Sequence, residues 1–292
     1  MKKRVIIIDG TYLVFKSYYG TLYSKQKLET KTGIKTNAIV GFFNTVFKLI
    51  KDYHPDQIFF CFDAKGKTFR HEEYLEYKQQ RQKAPEDFYT QFLIIKDLLP
   101  ELNLQSFEQI GFEADDIVAS ITSKLKENTE IIIYSADQDL NQLIDINVKI
   151  LKPKNSKLIE VNNDNFFEIY NFYPWQVVDY KSIVGDSSDN FKGIKGIGPK
   201  TAIKLLEKYR NVENIYANIN LIEKNIQTKF LDYQDNLKRD KYLAQLRYDV
   251  PFENIDVLYS FLNVKISNNG LIRLKELELF KITENLKKLE VN

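Results

Sequence analysis

Three short apolar runs constrain the fold of this chain more than any other feature. They span residues 5–8, 57–62 and 130–134, and each is too short for a helix and rich in β-branched or aromatic residues. Strands buried on both faces of a parallel sheet have this composition. The stretch 37–53, between the first two runs, carries apolar residues at helical spacing. The order strand, helix, strand therefore predicts an α/β fold with a parallel sheet.

Composition narrows the class of protein. The 292 residues fit one large α/β domain or two joined ones. The content of 43% apolar and 28% charged residues is typical of a soluble globular protein, and 11 glycines and 7 prolines are too few for a turn-rich all-β fold. The single cysteine, Cys61, excludes an internal disulfide. Because no run approaches the roughly 20 apolar residues of a membrane span, and Asp9 ends the first run too early for a signal peptide, we expect a cytoplasmic protein with no membrane partner.

Each predicted strand is followed by an acidic residue. Asp9 ends the first, Asp63 ends the second, and Asp137 and Asp139 follow the third. Ligands of open parallel sheets bind outside the carboxyl ends of the strands, where these carboxylates would converge. A single acid after a strand is usually a turn or N-cap residue. Three strands in a row that end this way favour a functional site.

Two further acidic segments belong to the same pattern. Glu113, Asp115 and Asp116 open a predicted helix at 113–126, where the helix dipole also attracts negative charge for purely structural reasons. Asp186 and Asp189 are three residues apart and share one face if their segment is helical, although an Asx-rich turn is the simpler reading.

The nine carboxylates would repel each other strongly at one end of a sheet. They are Asp9, Asp63, Glu113, Asp115, Asp116, Asp137, Asp139, Asp186 and Asp189. Several would have to protonate unless cations neutralise them. Mg²⁺ or Mn²⁺ suits oxygen ligands of this kind. Since nine acids are more than one ion needs, we expect two metal ions roughly 4 Å apart, as in phosphoryl-transfer enzymes.

A glycine-rich segment follows the last acids. Glycines 193, 196 and 198 are separated by only one or two apolar or basic residues and precede Pro199 and a helical run, which predicts a tight hairpin that leads into a helix N-terminus. Exposed backbone N–H groups there, with Lys195, Lys200 and Thr201 alongside, can hold phosphates without reading base sequence. The formal net charge is only +2, but residues 191–210 contain six basic residues and one acid. Such a local excess suggests a polyanion partner, although a charged helix face is more often simply solvated.

The motifs, taken in order, resemble those of the bacterial 5′-3′ exonucleases, the flap-endonuclease family that also forms the N-terminal domain of DNA polymerase I. The resemblance runs from about residue 4 to 210 and continues weakly to about 280. It includes the polar, tyrosine-rich segment 65–83, which contains Arg70, Tyr77, Lys78 and Arg81.

The resemblance implies an architecture and a set of residue roles. The fold would be a PIN-like parallel sheet flanked by helices over residues 1–183, with a helical arch at about 64–85. A helical helix-three-turn-helix DNA-binding domain with a helical C-terminal extension would follow over 184–292. By the same resemblance Asp9, Asp63, Glu113, Asp115 and Asp116 surround one ion, and Asp137, Asp139, Asp186 and Asp189 surround the other.

The arch residues and the hairpin would contact the substrate. Lys78 and Arg81 would share a helix face toward phosphate, Tyr77 would stack on a base, and Arg70 would contact the scissile region. The hairpin residues that the resemblance assigns to DNA binding are Gly193, Lys195, Gly196, Gly198, Lys200 and Thr201.

The function that the resemblance implies is metal-dependent hydrolysis of DNA at a 5′ end, a nick or a 5′ flap. RNA primers in RNA–DNA hybrids would be further substrates, and the protein would be a monomer. One alternative is a structure-specific DNA-binding protein without catalysis. A haloacid-dehalogenase-type phosphatase is suggested by Asp9, Gly10 and Thr11, but its nucleophilic Asp would stand where this chain has Ile7.

Overall fold

A six-stranded sheet forms the first part of the computed structural model, which describes residues 2–22, 28–154 and 157–290. The strands are β1 (Lys3–Asp9), β2 (Gln57–Cys61), β3 (Gln105–Phe107), β4 (Thr129–Tyr134), β5 (Val148–Lys154) and β6 (Lys157–Val161). Their order in the sheet is β3-β2-β1-β4-β5-β6. The first five strands pair in parallel, and only β6 runs antiparallel to its neighbour. The predicted parallel sheet is therefore confirmed.

Thirteen α-helices lie in the described part of the chain. They are α1 (Gly10–Thr21), α2 (Asn37–Tyr53), α3 (Phe69–Glu73), α4 (Glu86–Glu101), α5 (Ala114–Leu125), α6 (Phe166–Tyr170), α7 (Val177–Val184), α8 (Pro199–Tyr209), α9 (Val212–Ala217), α10 (Lys224–Asp232), α11 (Gln234–Ala244), α12 (Asn268–Glu276) and α13 (Phe280–Glu290). No helix among the described residues is long and apolar enough to cross a bilayer.

Helices cover both faces of the sheet. On one face α1, α2 and α4 pack on alternate residues of β1 and β2, and on the other face α5 packs on the remaining ones. The C-terminal helices join the first of these layers, since Leu274, Ile282 and Leu286 are buried in the same cluster as the α2 residues. The boundary between two domains at residues 183 and 184 stays a prediction. Helices α12 and α13, which lie after this boundary in sequence, pack on α4 and α2, which lie before it.

A separate helical core follows the sheet. Ile183, Ile197, Leu206, Phe230 and Leu237 lie in one buried cluster that joins α7, α8, α10 and α11. This cluster forms the helical domain that the sequence predicted, because the apolar residues of each of these helices face the shared interior.

The segment predicted as a helical arch differs from the expectation. Over residues 64–85 the structure has one α-helix, α3, and the chain from 74 to 80 consists mainly of turns. Lys78 has a φ of 52°, which interrupts any helix there. Instead the segment docks on the turn 187–190: Lys78 N–H donates to the Asp189 carbonyl and Asn190 Nδ2 donates to the Glu76 carbonyl. Lys78 and Arg81 therefore do not share a helix face.

Candidate metal centre and nucleic-acid interface

The strand order places a crevice where the predicted acids lie. The sheet grows outward from β1 in both directions, and ligands bind at such a reversal point. Asp9 is the last residue of β1, and its carboxylate accepts hydrogen bonds from Tyr12 N–H at 2.8 Å and Ser135 Oγ at 2.9 Å. Asp63, after β2, accepts from Ala114 N–H at 2.9 Å, which fixes the start of α5 beside it.

A cavity of about 200 Å³ opens at this point. Its lining includes five of the predicted acids together with two of the predicted cations; these are Asp9, Asp63, Glu113, Asp115, Asp137, Lys78 and Arg81. The fold thus brings residues from β1, β2, α5 and β4, more than 120 positions apart in sequence, to one small volume.

Three carboxylates in this region are arranged as a metal ion would require. Oxygen atoms of Asp115, Asp137 and Asp139 all lie within 4.8 Å of one another. Burial, followed by repulsion from Asp137 and Asp9, raises the pKa of Asp115 well above its ordinary value. Burial likewise raises the pKa of Asp9 and of Asp139 to about 7. Closely spaced oxygen ligands whose charge is poorly compensated by the protein fit a hard divalent ion.

A second group of acids surrounds a lysine. Lys181 Nζ lies 2.5 Å from Asp139, 3.0 Å from Asp186 and 2.6 Å from Asp189. Burial raises the pKa of Asp186, but Lys181 and hydrogen bonds from Ser188 together outweigh this and lower the pKa below its ordinary value. Sequence reasoning missed Lys181, because the helix spacing of α7 does not reveal which of its side chains turns toward acids of other elements.

The cations of the docked segment also face acids. Lys78 Nζ lies 3.0 Å from Glu113 and 3.7 Å from Asp189, and Arg81 Nη2 lies 3.3 Å from Asp189. Burial raises the pKa of Glu113, but Lys78 and Arg70 together lower it to about 2. Glu113 is therefore an anion held by protein cations.

Tyr77 does not occupy the position expected of a base-stacking residue. Its side chain is 3% exposed, its ring packs near Phe191, and its Oη donates to Glu113 at 3.0 Å. The expectation that Tyr77 stacks on a nucleotide is wrong for this conformation, because an apolar ring whose hydroxyl has a partner is stable when buried.

Arg70 and Asp116 form a buried ion pair, which corrects the expected role of each. The Arg70 guanidinium donates two hydrogen bonds of 2.7 Å to the Asp116 carboxylate, and the two residues are 2% and 0% exposed. Asp116 also accepts from the N–H groups of Glu113 and Arg247. Asp116 is therefore saturated without a metal ion, and Arg70 has no face open to substrate.

The pair joins three parts of the chain. Arg70 belongs to α3, Asp116 belongs to α5 beside the acids, and Arg70 Nε also donates to the Leu243 carbonyl in α11 at 2.8 Å. The pair thus acts as a positioning contact between the docked segment, helix α5 and the helical domain.

Breaking this pair should destabilise the fold. Arg70→Met leaves a buried carboxylate unpaired, and we expect the free energy of unfolding to fall by about 3–5 kcal/mol. Denaturant unfolding measures the change. The double variant Arg70→Met/Asp116→Leu should recover much of the loss, because the carboxylate that loses its partner is removed as well. Arg273→Ala, which removes an exposed pair with Glu276, is the matched control and should unfold near the wild-type midpoint. Equal midpoints for Arg70→Met and this control would contradict the assignment.

The glycine-rich segment forms the predicted hairpin before α8. Gly193 has a φ of 63°, and a Cβ at that position would lie 2.3 Å from the Val184 carbonyl carbon, so no other residue fits. Within the described chain the N–H groups of Lys195, Gly196 and Gly198 have no acceptor, and all three residues are exposed. They are available to phosphate oxygens. Lys200 is exposed in the first turn of α8, and Thr201 N–H bonds back to the Gly198 carbonyl.

The raised pKa values predict how the stability of the metal-free protein depends on pH. Asp9 and Asp139 have a pKa of about 7 in the fold against an ordinary value of 3.8. Between these values the folded protein holds protons that the unfolded chain has released, so the free energy of unfolding should fall as pH rises from about 4 to about 7. Because ions bind the deprotonated acids, added Mg²⁺ should raise the melting temperature more at about pH 8 than at about pH 5. Thermal melts in Mg²⁺ and in EDTA test this. The prediction would be contradicted if Mg²⁺ raised the melting temperature by the same amount at both pH values.

A carboxylate centre at the edge of a PIN-like sheet, next to a hairpin with free backbone N–H groups, defines a metal-dependent nuclease. Family models agree with this class. The model described as "5′-3′ exonuclease, N-terminal resolvase-like domain" matches residues 4–171, and the one described as "5′-3′ exonuclease, C-terminal SAM fold" matches residues 172–261. The chain belongs to the 5′-3′ exonuclease family.

Comparisons with individual proteins support the same family. The 5′-3′ exonuclease of Mycoplasmopsis pulmonis is 38% identical over 291 residues, which cover 99% of this chain and 94% of that protein. The thermostable DNA polymerase I of Thermus thermophilus is 36% identical over 254 residues, which cover 86% of this chain and 30% of that protein. The bacteriophage T5 flap endonuclease, solved with DNA and metal ions, has a similar fold, with a TM-score of 0.68 at 22% identity over 99% of this chain and 100% of that one.

Proposed function

We propose that this protein is a metal-dependent 5′-3′ exonuclease and 5′-flap endonuclease that hydrolyses DNA phosphodiesters with two Mg²⁺ or Mn²⁺ ions. One observation carries the proposal: the cavity that holds Asp9, Asp63, Asp115 and Asp137 is also lined by Lys78 and Arg81. Acids for metal ions and cations for a phosphate therefore face the same small volume.

The residues divide between two ion sites. Asp9, Asp63, Glu113 and Asp115 would hold one ion, directly or through water, and Asp137, Asp139, Asp186 and Asp189 would hold the other. Asp116 leaves the set proposed from the sequence, because Arg70 and two N–H groups occupy its oxygens. When bound, the ions lower the pKa of a coordinated water and offset the charge of the scissile phosphate.

The chain's own groups would place the substrate. The free N–H groups of the hairpin, with Lys195 and Lys200, would hold the backbone of duplex DNA without sequence preference. Lys78 and Arg81 would exchange their carboxylate partners for phosphate oxygens when the strand enters. These contacts would bind DNA with a flap, a nick or a 5′ end, and also RNA–DNA hybrids. The protein would act as a monomer, since one chain supplies every group.

A cleavage assay tests the proposal. A duplex with a labelled 5′ flap is incubated with the protein in Mg²⁺ or Mn²⁺, in Ca²⁺ and in EDTA, and products and complexes are separated on gels. We expect cleavage in Mg²⁺, giving a 5′ phosphate and a 3′ hydroxyl, and binding without cleavage in EDTA. Binding in all three conditions with no product in Mg²⁺ or Mn²⁺ would favour the alternative, a DNA-binding protein without catalysis.

A further inference from the structure

Three exposed aromatic rings form a continuous row on the surface, in α6 and in the segment between α6 and α7. Phe167, Tyr173 and Trp175 are 42%, 49% and 49% exposed. The ring centroids of Phe167 and Tyr173 are 4.9 Å apart, and those of Tyr173 and Trp175 are 5.9 Å apart with planes within 7°. We call these residues the aromatic row. Single exposed apolar residues are ordinary, but a contiguous group marks an interaction site.

The buried neighbours of the row fix its position between the core of the sheet and helix α8. Phe166, next to Phe167, is fully buried, and Gln176, next to Trp175, is 3% exposed. Gln176 Nε2 donates to the carbonyls of Leu206 and Arg210 at 3.0 and 2.6 Å. These bonds hold the row against the C-terminal end of α8, so the exposed rings are presented by a rigid base.

Arg210 completes the row at an unusual backbone position. Its guanidinium carbon lies 5.4 Å from the centre of the Trp175 ring. Its φ is 74°, and Asn211 N–H closes a three-residue turn onto the Tyr209 carbonyl at 3.0 Å. Such a turn is rare and strained for any residue other than glycine. Non-glycine residues persist in strained positions mostly where the side chain has a function.

Positive charge connects the row to the hairpin. Lys200, Lys204 and Lys208 are exposed at successive turns of α8, and Glu207 is the one acid of that helix. The helix has 11 residues and is therefore about 16 Å long. At the duplex rise of 3.4 Å per nucleotide, a strand held at the hairpin reaches the row within about five nucleotides.

We propose that the aromatic row and Arg210 form a stacking site for unpaired nucleotides of the nucleic acid that the hairpin and α8 hold. Aromatic faces stack on bases of any sequence, but paired bases inside a duplex hide their faces, so the occupant is single-stranded. An arginine over the ring adds attraction for phosphate and base. This inference rests on the nucleic-acid binding in the proposed function and names a second contact for it.

Trp175 is the single tryptophan of the protein, so tryptophan fluorescence reports directly on the aromatic row. In Ca²⁺, wild-type protein is titrated with a blunt labelled duplex and with the same duplex extended by unpaired thymidines at either end. Anisotropy of the label reports binding, and tryptophan emission reports the row. We expect quenching of the emission by an extended duplex and little change with the blunt one.

Variants separate stacking from folding. Trp175→Ala/Tyr173→Ala should weaken binding of the extended duplex by about tenfold, with little effect on the blunt duplex. Arg210→Gly fits the strained turn and removes only the guanidinium, so its melting temperature should equal or exceed that of the wild type while extended-duplex binding weakens. Tyr259→Ala, which removes a 55% exposed ring outside the row, is the control and should bind as wild type.

Two results would overturn the proposal while leaving the proposed function intact. One is tight binding of both duplexes with unchanged tryptophan emission and unchanged affinity in the row variants. The other is an emission change when the protein alone is concentrated, with a shift in sedimentation, which would assign the row to self-association. If wild-type protein bound neither duplex, and Lys195→Glu/Lys200→Glu made no difference, the proposed function itself would fail.

Discussion

Asp115→Ala is expected to reduce single-turnover cleavage of a 5′-flap duplex by at least about 10³-fold. Asp115 lies within ligand distance of both Asp137 and Asp139, so its loss removes the carboxylate that links the two acid groups. Burial, followed by repulsion from Asp137, Asp9 and Asp139, raises the pKa of Asp115 well above its ordinary value, so a bound cation would favour its charged form. We therefore expect divalent ions to depend on this residue for their position.

Binding measurements separate this effect from misfolding. Flap binding in EDTA should persist in Asp115→Ala, because the hairpin that we propose as the contact to the DNA backbone does not involve this residue. Because the variant removes one anion from a crowded acidic site, its melting temperature in EDTA should equal or exceed that of the wild type. Asp52→Ala removes a carboxylate of comparable size that pairs with Lys48 on the surface of α2, and should cleave as wild type. Cleavage by Asp115→Ala within tenfold of this control would remove the metal assignment.

Local sequence was sufficient for three of the six strands, for their parallel pairing and for part of the site. Each of β1, β2 and β4 is a short apolar run followed by an acid, and parallel pairing alone brings Asp9, Asp63 and Asp137 to one edge. Helix α2 has the bounds that its apolar spacing predicted. These features depend on neighbours in sequence, and the rules of strand pairing supply the remaining geometry.

Contacts between distant segments could not be predicted in the same way. Residues 75–80 form turns, and the backbone of this segment bonds to Asp189 and Asn190, more than 100 positions away; these contacts outweigh any local preference for helix. Arg70 and Asp116 both belong to motifs that suggested catalysis, yet they pair with each other across 46 positions. Residue type and spacing identified the functional region, but they did not show which charges the protein neutralises internally.

Lys78→Ala/Arg81→Ala tests whether these internally paired cations act on the substrate. Both residues line the acidic cavity, and their present partners are Glu113 and Asp189. A phosphate that enters would compete for them with charge-assisted hydrogen bonds worth roughly 1.5–3 kcal/mol each. If both contacts exist only in the reacting geometry, the double variant should lose between about 10² and 10⁴ in single-turnover rate at saturating enzyme, and much less in duplex affinity.

Metal binding must be measured alongside the rate, because the two cations also compensate acids of the site. Their removal leaves Glu113 without Lys78, so divalent ions should bind the variant at least as tightly as the wild type. A loss of rate at saturating Mg²⁺ would then reflect the missing phosphate contacts. Lys65→Ala/Lys67→Ala removes two exposed cations of the same segment that make no ion pair within the described chain, and should stay within about threefold of wild type. If the Lys78/Arg81 variant also stayed within that range, the two residues would serve only to neutralise Glu113 and Asp189, and the phosphate would be positioned by the ions and the hairpin.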